Sequence, residues 1–307
     1  MIKITNDNKN FTQKFLLFNE ENWNDSKTNF NQNISKFFSG KKNEVFINVK
    51  DSEVEYLIGL GKDSSKPIEI QKVAEKFAYY QKDNLESIST ELVAEFLNEE
   101  QTTAFVTGLF LGTYHYPFSP DHAFWQQGFE LNIKNQQPEV LEKIATRSQA
   151  LCNGQFACMD WLNKPANQKT APVFGEYLQK ISKEKGLKYT SFNRQRCEQL
   201  GLGAFLSVNQ GSRDEAAFTI LEYNCGQEGA KTVGLVGKSV LFDTGGISLK
   251  NPLNMHYMKS DMGGATAVVG TLIAAADLKI PVNIIAILPI TDNAISESAA
   301  TPSDVVT

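Results

Sequence analysis

The stretch from 237 to 264, GKSVLFDTGGISLKNPLNMHYMKSDMGG, constrains the fold more than any other part of the chain. It sets Lys238, Lys250, Asp243 and Asp261 among residues that otherwise read as buried strand and helix, and it carries the glycine pairs Gly245-Gly246 and Gly263-Gly264. Charged side chains inside such a segment are costly to bury unless they pair, bind a metal or take part in chemistry. The backbone must therefore turn sharply here and bring opposite charges together. Function is expected at the same place.

The chain has 307 residues, long for one core, which favours two domains. Its 41% hydrophobic and 21% charged content is that of a soluble globular protein. A net charge of -5, a pI near 5.4 and dispersed basic residues argue against a nucleic-acid partner. The start, MIKITNDNKNF, has no basic region followed by a long apolar run, so no signal peptide is expected. The longest unbroken apolar segment, near 284–289, is far shorter than a bilayer requires, so no membrane association is expected either. Cys152, Cys158, Cys197 and Cys225 form no C-x-x-C pair and read as small buried hydrophobes. These features point to a cytoplasmic protein with reduced thiols.

Along the chain, β-like runs at 15–18, 44–49 and 55–60 alternate with polar loops. Helical spacing follows at 68–81, with a stripe of Ile70, Val73, Ala74, Phe77 and Ala78, and again over 90–97 and 102–114. Residues 1–116 are thus expected to form a small α/β domain, with no cluster of titratable groups at ligand spacing. Residues 117–150 read as a linker, with Pro117, Pro120 and a polar run to 137, followed by a helix from Pro138. From 151 to 307 strands and helices alternate: helices at 172–185 (closed by Gly186), 194–200 and 265–278, and strands at 189–192, 217–223, 232–242 and 282–288. That rhythm predicts a second α/β domain, a mostly parallel sheet with helices on both faces.

If 232–242 is one buried strand, Asp243 sits at its C-terminal end, where open α/β sheets gather ligands. Gly245-Gly246 lets the backbone approach a ligand closely. Asp261 precedes a helix and is expected at its N-cap, where the macrodipole favours an anion. Two carboxylates converging from a strand end and a helix start can hold one or two divalent cations. Lys238 and Asp243 are five residues apart, so an ideal strand would point them to opposite faces, and a bulge or break near Gly237 is required to unite them. A lysine ligates only as the neutral amine, which the cation's own charge must enforce. Lys250 can stay protonated and face a developing oxyanion.

Residue types alone leave structural Asp–Lys ion pairs open as an alternative. A phosphate loop does not fit, because Thr232 stands where its first glycine belongs and strand continues after Ser239. The three histidines, His115, His122 and His256, supply no ligand spacing, and no serine has a histidine placed for a Ser-His-Asp triad.

Taken together, VGKSVLFDTGGISLK followed by MKSDMGG closely resembles the leucyl (cytosol) aminopeptidase family of two-metal exopeptidases. Weaker matches surround it at LNKPAN (162–167), GLGAFLSVNQGS (201–212), 219–223 and LPITDNAISESAATPSDVV (288–306), and GLFLGTY (108–114) resembles the stretch before the family's catalytic domain. The resemblance implies metal ligation by Lys238, Asp243 and Asp261, with Asp243 bridging. It implies a catalytic Lys250 that polarises the scissile carbonyl, and a pocket for the substrate's N-terminal side chain lined by Met258. It implies two divalent ions, zinc or manganese, a bicarbonate acting as base in the full-length enzyme, a peptide substrate with a free N-terminus, and a homo-hexamer. The family's N-T-D-A-E-G-R motif, with further ligands, is expected after Thr307. The chain as given is therefore expected to be the first part of a catalytic domain, inactive alone. The rival expectation is a truncated or degenerate homologue with a binding or assembly role.

Overall fold

The computed structural model describes residues 2–5, 11–50, 53–62, 66–81, 85, 89–114, 116, 129–133 and 136–306. It divides into two compact units, Met1–Cys152 and Asn153–Thr307. The first unit holds a six-stranded sheet built from β1 (Ile2–Thr5), β2 (Gln13–Asn19), β3 (Val45–Lys50), β4 (Glu53–Gly61), β5 (Ser89–Val93) and β6 (Phe129–Ile133). The strand order is β1-β6-β5-β2-β4-β3, parallel except for the β3–β4 pair. Its helices are α1 (Glu20–Ser26), α2 (Pro67–Gln81) and α3 (Glu99–Gly112). All five stripe residues of α2 are buried, and Phe77 meets Phe15 and Tyr56 edge to face.

Two expectations for this unit change. The helical spacing assigned to 90–97 belongs to β5 and a turn, and the helix starts only after Asn98, which forms a reciprocal capping box with Gln101. β5 lies between β2 and β6 and owes its pairing to these distant partners, whereas its own sequence, STELV, is too short and too mixed in polarity to tell strand from helix by period. The stretch assigned to a linker contains β6, a parallel partner of both β1 and β5. Most of the remaining linker, with His122, lies outside the described residues, as does His115 just before it.

The boundary between units falls inside α4 (Pro138–Asn163). The second unit continues with α5 (Ala171–Lys185), β7 (Lys188–Phe192), α6 (Arg194–Gln199), α7 (Gly203–Asn209), β8 (Ala217–Tyr223), β9 (Thr232–Val236), β10 (Ser239–Asp243), α8 (Gly263–Leu278) and β11 (Asn283–Asn293). Gly186 closes α5 in the left-handed region at φ 66°, as its position predicts. The α/β class holds. The sheet is mixed rather than mostly parallel: β11 pairs in parallel with β9 and β10 on one side and antiparallel with β8 on the other, and β8 pairs antiparallel with β7. Phe174 and Leu178 of α5 and Ala265, Val269, Leu272 and Ile273 of α8 share one buried cluster with Leu241, Ala286, Leu288 and Ile290 of the sheet. The stretch Met255–Leu278 has the length and mean hydropathy, 1.2, of a membrane span. Half of its apolar window is buried, and most of the buried residues belong to α8, packed against the sheet.

The expected strand 232–242 is two strands, broken at Gly237-Lys238. A Cβ built on Gly237 would stand 2.7 Å from Ala265 Cα and 2.9 Å from Leu288 Cδ2. Only glycine lets α8 come this close to the sheet. The Gly237 amide still donates to the Ile287 carbonyl (3.0 Å), and Ser239 Oγ donates to the Gly237 carbonyl (2.9 Å), so the break leaves these buried groups satisfied. Gly237→Ala should therefore destabilise the second unit by about 1–3 kcal/mol through overpacking. A urea midpoint unchanged from wild type would contradict this close approach.

Candidate metal centre

Asp243 is the last residue of β10 and is buried at 8% exposure. Burial pushes its carboxyl up, but the Lys250 ammonium, the Gly245 amide and the Asn293 side-chain amide together hold it below the ordinary carboxylate range. Lys250 Nζ donates to Asp243 Oδ2. The Gly245 amide (2.9 Å) and Asn293 Nδ2 (2.7 Å) donate to Oδ1. Lys250 reaches back because the loop closes on itself: its amide donates to the Thr244 carbonyl at 2.9 Å. Gly245, at φ 88°, makes the turn possible, since a Cβ there would lie 2.4 Å from the Ser248 carbonyl oxygen.

Lys238 follows the strand break, and its ammonium stands 2.7 Å from Asp261 Oδ2, with the lysine side chain 57% exposed and the aspartate 22%. Asp261 Oδ2 is buried, with this ammonium as its ion-pair partner and no further hydrogen-bond donor among the described residues. Asp261 is not the N-cap expected of it. That position belongs to Met262, while Asp261 closes the 3-10 turn Met255–Ser260 in the αR region, one residue too early for its carboxylate to reach the free amides of α8. The same turn carries Met258, whose Sδ is 3.3 Å from Lys250 Nζ, and so it links the two Lys–Asp pairs. His256, also on the turn, is exposed and lies against Tyr257 with the rings tilted at 39° (centroids 4.2 Å apart).

The five residues singled out in the sequence thus fall into two adjoining groups, Asp243–Lys250–Met258 and Lys238–Asp261. Both groups contain the ion pairs that residue types alone left open. Asp243 is saturated with donors. Asp261 is not: its buried Oδ2 has the Lys238 ammonium beside it and no further donor, which leaves lone pairs to satisfy. A divalent cation fits that need: a carboxylate oxygen aimed beside a lysine amine is a mixed oxygen and nitrogen donor set of the kind zinc and manganese accept. Among the described residues no three His, Cys, Asp or Glu side chains converge, so a centre here draws on the lysine as well as the carboxylates.

Asn293, which orients Asp243, carried no signal in the sequence beyond its place in LPITDN. Its role follows from register. Val240 and Asp243 face Thr291 and Asn293, three steps on β10 against two on β11, and this bulge sets Asn293 opposite Asp243. Lys259, inside the most informative stretch, was likewise given no role. Its Nζ donates to the Asn163 carbonyl at 3.0 Å.

The catalytic-domain model of the cytosol aminopeptidase family matches residues 156–307. Over 285 residues the chain is 33% identical to a probable cytosol aminopeptidase of Rickettsia massiliae and 32% identical to that of Rickettsia canadensis, covering 88% of this chain in each case. The chain belongs to the cytosol aminopeptidase family. It spans 57% and 56% of the length of those two relatives. The fold agrees: a tomato leucine aminopeptidase variant superposes with a TM-score of 0.83 at 23% identity, covering 100% of this chain and 65% of that one. A bottromycin maturation enzyme in complex with Mn superposes with a TM-score of 0.80 at 24% identity, covering 97% and 63%.

Asn293→Ala should destabilise the second unit by about 1–3 kcal/mol, because it leaves a buried Asp243 oxygen one donor short. In an Asp243→Ala background the same substitution should cost clearly less, as the acceptor is gone. Equal costs in the two backgrounds, measured by urea denaturation, would refute the role given to Asn293.

Proposed function

We propose that the second unit carries part of the active centre of a metal-dependent aminopeptidase, which hydrolyses the N-terminal residue from peptides. The observation that carries this reading is the buried Asp261 oxygen paired with Lys238 and reached by no further donor, one short turn away from an Asp243–Lys250 pair. Lys238, Asp243 and Asp261 would hold two divalent ions, zinc or manganese, which supply Lewis-acid polarisation of the scissile carbonyl and a more acidic water. Family membership supports the assignment, and the Mn present in the complex of the bottromycin enzyme supports manganese as one candidate.

The chain's own residues divide the remaining work. Asp243 is held rigidly by Asn293 and Gly245, so its carboxylate presents one fixed orientation. Lys250, a donor with a side chain 39% exposed, can leave Asp243 for an oxyanion developing on the substrate carbonyl, where a placed cation is worth more than in water. Met258 packs against the Lys250 ammonium and offers a polarisable apolar wall to the substrate's first side chain. We assign a cytoplasmic location and a homo-hexameric assembly by family likeness alone, with bicarbonate as base in the longer enzyme. No single observation here favours a non-catalytic role.

Two lysine variants test the division. Calorimetric titration of the 307-residue chain with Mn²⁺ should detect weak binding of a single ion; Lys238→Ala should abolish the heat, whereas Lys250→Ala should leave it nearly intact. In a chain extended to the length of its relatives, a leucine arylamide should be cleaved only with added metal, and its N-acetylated form not at all. There Lys250→Ala should lower kcat by about 10²–10³, the usual loss for one transition-state donor. Equal cleavage of the acetylated compound, or equal loss of metal in both variants, would refute the reading.

A further inference from the structure

Lys169 is buried at 1% exposure, and among the described residues no carboxylate is one of its hydrogen-bond partners. Its ammonium donates to three main-chain carbonyls: Trp161 (3.0 Å), Leu162 (3.5 Å) and Lys259. An ammonium has three N–H donors, so each finds an acceptor. Trp161 and Leu162 lie in the last turn of α4, where the final four carbonyls of a helix have no partner within the helix. All four are satisfied here. The Asp160 carbonyl accepts from the Lys164 amide (3.0 Å), those of Trp161 and Leu162 from Lys169, and that of Asn163 from Lys259 Nζ (3.0 Å).

Capping a helix does not require a buried cation. Lysines commonly do it from the surface, where the macrodipole favours them without desolvation. What Lys169 adds by being buried is its third bond, to the carbonyl of Lys259. That carbonyl belongs to the turn Met255–Ser260, none of whose six residues is buried. No residue of the turn is fully buried in the apolar core, so polar contacts carry much of its position, and bonds between it and the end of α4 with its following loop run in both directions. Lys259 directly follows Met258 and stands two residues before Asp261, whose amide donates to the Met258 carbonyl at 3.2 Å.

We propose that Lys169 is a positioning residue: its buried ammonium clasps the C-terminus of α4 to the turn Met255–Ser260, and so fixes the Asp261 carboxylate and Met258 in the candidate centre. The proposal deepens the metal-centre reading, on which its functional half rests. Burial, then repulsion from Lys259 and Lys164 against attraction from Asp292, brings the Lys169 ammonium down to about 8, so it remains a cation with three donors at neutral pH.

The test is amide hydrogen exchange on the 307-residue chain, followed by mass spectrometry. Lys169→Met, of similar length and without donors, should speed exchange over residues 255–262 by about tenfold or more, the scale of losing one or two hydrogen bonds, while β8 and β11 stay protected. It should also weaken Mn²⁺ binding by about tenfold, the equivalent of one such bond. Leu178→Ala, a fully buried core truncation in α5, serves as the control for plain destabilisation and should spare 255–262 at matched loss of Tm. If Lys169→Met does not fold, Lys169→Gln, which keeps two donors on a shorter side chain, is read in the same way. Unchanged exchange over 255–262, or a rise no larger than in the Leu178→Ala control, overturns the clasp. Local exchange as expected in a wild-type chain that binds no Mn²⁺ upholds the clasp and overturns the metal reading instead.

Discussion

The second unit is organised around one carboxylate at the end of a strand. Asp243 is 12% exposed at its side chain, and an anion so placed is tolerated only when donors surround it. Three of them converge from different parts of the chain: Lys250 from the following loop, Gly245 from the turn between, and Asn293 from the neighbouring strand. Each imposes a structural condition. The loop must double back over Thr244, residue 245 must tolerate a positive φ, and β11 must run on to Asn293. The folded geometry of the loop after β10 is therefore as much a consequence of satisfying Asp243 as of burying apolar surface.

How much of this can be read from residues depends on whether the signal is local. The stripe of α2, the glycine closing α5 and the strand character of 217–223 are local patterns, and each element is found in place. The four charged residues of the candidate centre stand out because charge is rare in an apolar segment. By contrast, 90–97, TELVAEFL, looks helical because its short mixed run carries no strand alternation, and the pairing that makes it β5 comes from β2 and β6, far away in sequence. The same holds for Asn293, whose partner is 50 residues distant. Lys169 looks like one more polar residue in a loop, and its burial shows only when the end of α4 and the turn before α8 meet. Long-range pairing decides what local pattern cannot.

Strand periodicity shows how the backbone reconciles these demands. Alternation would send Lys238 and Asp243 to opposite faces of a regular strand. Two irregularities intervene. The chain breaks at Gly237-Lys238, where close packing against Ala265 excludes any side chain, and it slips register between Val240 and Asp243. The break releases Lys238 from the ladder and leaves it beside Asp261, at the entry to α8. The slip turns the end of β10 toward Asn293. Bulges recur next to active sites because they re-aim a side chain at the cost of one ladder position.

The two irregularities also explain why the turn before α8 needs an external hold. Helix α8 is fixed from its first turns onward by apolar contacts, and the Ala265 amide donates to the Lys238 carbonyl at 3.0 Å. Residues 255–261 precede that fixed point and have no buried side chain of their own until Met262. A segment anchored at one end only would let Asp261 swing, and Lys238, with its side chain more than half exposed, is too mobile a partner to hold it. The α4 terminus supplies the second anchor. Its carbonyls must be satisfied in any case, and a buried ammonium that serves them can serve the turn with the same three donors. A demand of local helix chemistry is thereby converted into the placement of a carboxylate roughly a hundred residues further along the chain.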